Sequence, residues 1–144
     1  MISISPQLEF FLNIAKAQAL IARRFDVKLS LWGIGMNDFI ILFQLSRASG
    51  EKMRRIDLAE KIGFTASGVT RLLAPMEKIG LVKRETVAHD ARVSLVALAP
   101  SGKRILTEAL ENAEYISREW LVNQKVANIK ELSSMLAAVG TYTF

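Results

Sequence analysis

Two arginines near the middle of the sequence are the side chains best suited to chemistry on an anionic partner. Arg71 lies in a segment with helical apolar spacing, and Arg92 follows Asp90 in an Asp-x-Arg pattern between two β-rich runs. A guanidinium is always charged and offers a planar fork of donors, which suits phosphate oxygens and guanine edges. Asp90 would be repelled by phosphate, so we expect it to orient an arginine through a charge-assisted hydrogen bond.

Further polar side chains extend this pattern into a predicted nucleic-acid surface. They are Arg54, Arg55, Thr65, Ser67, Thr70, Lys83 and Arg84. The four basic residues are either phosphate contacts, which position a protein on DNA, or solvated surface charges. Thr65 is either a helix cap or a DNA contact. Arg71 has two interpretations: it reads a base, or it binds a phosphate or holds Asp90.

The positive charge is concentrated in one part of the chain. Residues 51–104 hold eleven Lys/Arg and six Asp/Glu, whereas residues 1–50 hold five and three and residues 105–144 hold three and five. A localised basic segment is typical of a nucleic-acid-binding protein, although an ordinary solvated face has the same composition.

The composition excludes several classes of function. The 144 residues include no cysteine and one histidine, His89. Disulfides, thiol nucleophiles and a multi-histidine metal site within one chain are therefore excluded. The sequence has no Gly-rich phosphate loop and no paired-carboxylate motif, so we expect neither an enzyme nor a cofactor. No apolar run approaches the roughly 18 to 20 residues of a membrane span, so we expect no membrane partner and a cytoplasmic protein.

Start and stop signals in the basic segment predict a helix-turn-helix unit. Asp57 with Glu60 indicates a capping box that opens a short helix, which ends at Gly63. Thr65 begins the next helix, and Gly80 ends it. In such a unit the N-terminal end of the second helix reaches the DNA bases in the major groove.

Two β-rich runs follow this unit directly. They cover residues 81–87 and 92–98, and residues 88–91 connect them. A hairpin in this position is a wing. The sequence therefore predicts a mostly α-helical fold with a small β-wing, a winged helix-turn-helix whose lobe covers about residues 36–99.

Apolar residues with helical spacing also flank this lobe. About residues 5–26, opened by Ser5, and about 101–140 predict N- and C-terminal dimerisation helices in a single domain over residues 1–144. Their apolar positions predict either a two-fold interface or the core of one chain. These positions are Leu8, Phe11, Leu12, Ile116, Trp120, Val126, Ile129 and Leu136.

Residues 55–106 resemble the multiple-antibiotic-resistance-regulator (MarR-type) family. Three motifs carry the resemblance in the family's order: LAEKIG followed by TASGVTRLL, then MEKIGLVKR, then Asp90-Ala91-Arg92.

Two departures from the family pattern concern local geometry. Pro75 lies inside the predicted second helix and should kink or divide it. Ala99 stands where the family often has a capping threonine, and Ser101 is the expected substitute cap.

The resemblance implies a transcriptional regulator that binds sequence-specific double-stranded DNA as a homodimer. It implies a repressor on a palindromic site, with Arg92 in the minor groove, released by a small aromatic or anionic effector. Four residues either line an effector cleft or form plain core: Trp32, Met36, Phe39 and Tyr115. RNA binding is disfavoured because no aromatic stacking motif is present. A protein-interaction module is disfavoured because the arginines of the motifs are retained.

Overall fold

The computed structural model describes residues 1–141, apart from the side chain of Ala91. The helices are α1 (Pro6–Leu29), α2 (Met36–Arg47), α3 (Arg55–Ile62), α4 (Ala66–Lys78), α5 (Pro100–Trp120) and α6 (Val126–Val139). The strands are β1 (Lys52–Arg54), β2 (Val82–Val87) and β3 (Asp90–Leu98), and short 3-10 turns cover Ser30–Trp32 and Ser49–Glu51. The described chain is mostly helical with one small sheet, which confirms the predicted fold class.

The contacts divide the chain into two compact units, one over Met1–Ala109 and one from Leu110 onward. The first contains α1 to α4 and the sheet. The second contains the later part of α5 and α6. The single domain over residues 1–144 stays a prediction.

Helix α1 begins as predicted and ends later. The hydroxyl of Ser5 accepts the backbone N–H of Leu8 at 3.2 Å, so Ser5 is the N-cap. The backbone N–H of Ser30 still donates to the carbonyl of Asp26, and helical bonding therefore continues to Leu29. Leu29 is completely buried, so tertiary packing favours this extension beyond residue 26.

Helix α3 begins two residues before the predicted capping box, which is therefore wrong. Its N-cap is Arg54, whose side chain binds the carboxylate of Asp57. Asp57 is already the third residue of the helix. The strand β1, which the sequence pattern did not predict, ends at Arg54 and sets the start of α3.

The turn before α4 agrees with the prediction, and of the two effects expected of Pro75 the division of the helix does not occur. Gly63 has φ 74°, the left-handed conformation that ends α3. The Thr65 hydroxyl accepts the N–H of Gly68 at 3.0 Å, which confirms the cap. Pro75 does not divide α4. The helix continues past it, and the backbone N–H of Ile79 donates to the carbonyl of Pro75.

The sheet is antiparallel in the order β1-β3-β2, and β2 with β3 forms the wing. Pairing runs from Val82 opposite Leu98 to Val87 opposite Asp90, with an irregularity before Val87. The tip is therefore Ala88 and His89 alone, and the predicted four-residue connection is wrong because β3 begins at Asp90.

A buried core anchors the helix-turn-helix and the sheet within the first unit. Its fully buried side chains include Ile41, Leu42, Leu45, Leu58, Val69, Leu73 and Val96. Contacts link α2, α3 and α4 with each other and with the sheet. This packing supports α4 from one side and leaves its other side exposed.

The packing corrects the expectation for Ser101 and favours one of the two alternatives left open for Ile116. The Ser101 hydroxyl donates to the carbonyl of Gly80 at 2.5 Å, so it joins α5 to the segment after α4 instead of capping α5. Ile116 is 4% exposed in the single chain. It therefore belongs to the chain's own core and not to a free interface.

Within residues 1–141, no single helix is long and apolar enough to cross a membrane. Only one bent pair, Pro6–Trp32 with Met36–Arg47 at 73°, passes the same test by length and composition.

Candidate nucleic-acid interface

Helix α4 presents a polar face at its N-terminal half. Val69 and Leu73 are buried, whereas Ser67, Thr70 and Arg71 are exposed. Side chains three and four residues apart share a face of a helix, so the buried and exposed sets separate. The three exposed polar residues are those predicted from the sequence to meet DNA.

An open cleft of about 420 Å³ lies beside this face. Its lining residues are Arg54, Arg55 and Ile56 at the start of α3, Ala66 and Thr70 on α4, and Arg92, Val93 and Ser94 on β3. The cleft thus brings together four of the predicted site residues, Arg54, Arg55, Thr70 and Arg92, from the four elements β1, α3, α4 and β3.

Arg92 is exposed on the wing, close to its tip. The carboxylate of Asp90 accepts the backbone N–H of Arg92 at 3.0 Å. Asp90 thus orients the wing backbone, and the described hydrogen bonds include none from it to a guanidinium. Arg92 is one of the residues that line the cleft.

Lys83 and Arg84 lie on opposite faces of the wing. Arg84 pairs with Val96, and Lys83 pairs with Ala97. Directly paired residues share a face of a sheet, and successive residues alternate between faces. Ser94 lies two residues before Val96, so Arg84 shares the face of the sheet that carries Ser94, and Lys83 lies on the other face. Both Ser94 and its neighbour Val93 line the cleft.

Arg54 is exposed but already has a partner. Its guanidinium donates to both carboxylate oxygens of Asp57, at 2.8 and 3.0 Å. This hydrogen bond and the charge of Asp57 raise the pKa of Arg54. The side chain therefore stays fully charged at the cleft edge, while part of its donor fork is occupied.

Arg55 differs from its neighbour because its side chain is only 13% exposed. Its Nη2 donates to a carboxylate oxygen of Glu77. Its buried Nε has no hydrogen-bond partner among the described residues.

The four residues predicted to bind an effector line no common pocket among those described, and their role stays a prediction. Trp32, Met36 and Phe39 are half-buried in the first unit, and Tyr115 in the second unit is 57% exposed. Within residues 1–141, no cluster of three His, Cys, Asp or Glu side chains is placed to hold a metal ion.

The chain is similar to known transcriptional regulators. The model of the MarR family matches residues 32–93. The uncharacterized HTH-type transcriptional regulator YdgJ of Bacillus subtilis is 25% identical over 133 residues, which are 92% of this chain and 78% of that protein. The transcriptional regulator HosA of Escherichia coli O157:H7 is 32% identical over 81 residues, 55% of this chain and 60% of that one. The chain therefore resembles the MarR family most clearly in the region over residues 32–93.

Solved structures agree with the MarR fold across nearly the whole chain. The transcriptional regulator BldR from Sulfolobus solfataricus has a TM-score of 0.81 at 28% identity, with 96% of this chain and 99% of that one covered. AbsC, a MarR-family regulator from Streptomyces coelicolor, has a TM-score of 0.81 at 22% identity, with 96% and 95% covered. This MarR-like protein is a DNA-binding transcriptional regulator.

Four residues that line the cleft were not predicted from the sequence: Ile56, Ala66, Val93 and Ser94. Ser94 lies two residues after Arg92 on the same strand, so strand alternation would have identified it. Ile56 carries no polar group and gave no signal, yet it is 63% exposed at the cleft.

Proposed function

We propose that this MarR-like regulator is a homodimeric repressor that binds a palindromic site on double-stranded DNA. One observation carries the proposal. Two elements that can contact DNA bases, the exposed N-terminal half of α4 and Arg92 on the wing, line the same cleft. A protein of similar fold has been solved in complex with DNA. It is Sco3205 from Streptomyces coelicolor, which is 19% identical with a TM-score of 0.81.

Each element suits a different groove. Helix α4 would enter the major groove through Ser67, Thr70 and Arg71, where an arginine paired with guanine is the commonest specific contact. Arg92 would lie in the adjacent minor groove, whose negative potential is greatest in narrow A·T-rich stretches. Arg84, on the face of the wing that carries Ser94, would contact the phosphate backbone between the two grooves.

The homodimer is supported by apolar surface on the outer helices. On α1, Leu8, Phe11 and Leu12 are about half exposed, at 47%, 51% and 54%. On α6, Leu132 and Leu136 are 55% and 49% exposed. Covering this surface with a second copy would be favourable at roughly 25 cal/mol per Å² of apolar area. It would also place two α4 helices about one DNA turn apart.

We therefore expect sedimentation equilibrium at micromolar concentration to give about twice the 16.0 kDa chain mass. Phe11→Gln should weaken the dimer about tenfold, the equivalent of 1.4 kcal/mol, because it places an amide in an apolar interface. Leu31→Gln is the matched control, since Leu31 is 82% exposed outside α1. A wild-type protein that sediments as a monomer would exclude the homodimer.

DNA binding should depend steeply on salt. Neutralising phosphates with Lys and Arg releases counterions, so the logarithm of affinity should fall by roughly 0.9 per contacted phosphate for each unit of log salt. Fluorescence anisotropy with a labelled duplex between about 50 and 200 mM salt measures this slope. A slope near zero would contradict an arginine-rich DNA contact.

Selection from random duplex DNA tests the site itself. A homodimer should enrich a palindrome whose half-sites lie about one helical turn, roughly 34 Å, apart. A single asymmetric site would contradict the palindrome. Placing that site across a promoter in a reporter strain should lower transcription, whereas raised transcription would make the protein an activator.

We also propose that a small aromatic or anionic molecule releases the DNA. CouR from Rhodococcus jostii was solved bound to p-coumaroyl-CoA, and RdhR-CbdbA1625 was solved bound to 2,4-dichlorophenol. Trp32, Met36, Phe39 and Tyr115 are the residues that we propose for such a ligand here. Neither enzymatic activity nor a cofactor belongs to this proposal, and binding to DNA implies a cytoplasmic location.

A further inference from the structure

Arg55 is set apart from the other predicted DNA-contacting residues by its burial and its partner. Its side chain is 13% exposed, whereas the adjacent Arg54 is 57% exposed. The Glu77 carboxylate that pairs with Arg55 is itself only 30% exposed. A phosphate could reach Arg55 only if this ion pair separated and left Glu77 facing the DNA.

The ion pair joins the two parts of the lobe that would read DNA. Arg55 is the first residue of α3 and directly follows β1, which pairs with the wing strand β3. Glu77 lies in the last turn of α4, the helix that carries Thr70 and Arg71. The pair therefore links the sheet that carries Arg92 to the far end of the helix that enters the major groove.

We propose that the Arg55–Glu77 ion pair is a positioning device that fixes the angle between α4 and the wing, and that Arg55 does not contact DNA. This inference rests on the proposed function, since it concerns how the same surface fits two grooves at once. A partly buried ion pair adds little net stability but strongly disfavours geometries that separate the charges. Losing the pair should therefore reduce the fit to a specific site more than the general attraction to DNA.

Glu77→Gln distinguishes this role from a phosphate contact, because the two interpretations predict opposite signs. Removing a negative charge near DNA should strengthen binding if only electrostatics matter. If the pair positions α4, specific affinity should instead fall about tenfold, near the cost of one lost base contact. Glu60→Gln, which removes an exposed carboxylate from α3, is the matched control and should stay within about twofold of wild type.

The experiment measures the affinity of the wild-type protein, Glu77→Gln, Arg55→Gln and their double variant for the selected duplex and for a scrambled duplex. The expected result is a similar loss in all three variants on the selected duplex, no loss on the scrambled duplex, and an unchanged salt slope. The charge-exchanged variant, Arg55→Glu with Glu77→Arg, should recover part of the specific affinity. It also carries the test if Arg55→Gln fails to fold, which melting curves would show.

Two results would overturn the inference in distinguishable ways. If Arg55→Gln lowers the salt slope by about 0.9 while Glu77→Gln binds as tightly as wild type, Arg55 is a phosphate ligand and only this inference fails. If the wild-type protein shows no preference for any duplex, the proposed function fails, and the positioning role fails with it.

Discussion

Replacing Arg92 with alanine should weaken binding to the selected duplex by about 10- to 100-fold, or about 1.4–2.7 kcal/mol. The expected loss is large because the guanidinium is exposed near the wing tip, where a fork of charged donors can enter a minor groove. The fold should survive, since exposed surface changes usually cost within about 0.5 kcal/mol. The loss should be greatest on duplexes with A·T-rich flanks, where the groove is narrow.

The register of the wing supplies a control for this experiment. Lys83→Ala removes a positive charge from the opposite face of the wing and should change affinity by no more than about twofold. Arg92→Lys should restore only part of the lost affinity, because it returns the charge without the planar fork. Titrations of all three variants after a check of melting temperature make the comparison. A folded Arg92→Ala protein that binds as tightly as wild type would show that the wing does not enter the groove.

The helix-turn-helix could be predicted from the sequence because its boundaries depend on local chemistry. The cap at Thr65 needs only a hydroxyl beside the first turn of α4, and the ends at Gly63 and Gly80 need only a residue that tolerates positive φ. Buried positions such as Val69 and Leu73 recur with the helical period. These signals lie within a few residues of the structure that they specify.

The start of α3 could not be predicted in this way, because it depends on a distant partner. The three residues of β1 form a strand only by pairing with β3, about forty residues later in the chain. That pairing moves the helix start to Arg55 and makes Asp57 a partner of Arg54 instead of a cap.

The pairing of β1 with β3 also explains why the candidate site was only partly predicted. Arg54 and Arg55 are identical in type and adjacent in sequence, so composition assigns them the same role. The position where β1 ends and α3 begins places one side chain in solvent and the other beside Glu77. Thr70 was easier to predict because it lies at an exposed position of the helical period of α4, and Arg92 because it follows Asp90 in the Asp-x-Arg motif.

Gly102→Ala should lower the free energy of unfolding by about 3 kcal/mol, the upper part of the range for overpacking a core. A Cβ atom at Gly102 would lie 2.1 Å from the carbonyl oxygen of Leu81 and 3.0 Å from its carbonyl carbon. That oxygen already accepts the N–H of Ala99 at 3.0 Å, and both Leu81 and Ala99 are buried. The contact is with backbone, so relief requires the start of α5 to move away from the base of the wing.

This expected loss of stability runs against helix propensity. Inside a helix, alanine is normally more favourable than glycine by roughly 1 kcal/mol. Gly140→Ala is the matched control, because Gly140 has φ −70° and a Cβ there would meet only the carbonyl oxygen of Ala137, at 3.7 Å. The control should leave stability unchanged or raise it by up to about 1 kcal/mol. Thermal unfolding at one fixed protein concentration should place Gly102→Ala roughly 10 °C below wild type. Melting within about 2 °C of wild type would mean that the close approach of α5 to Leu81 is not a feature of the folded protein.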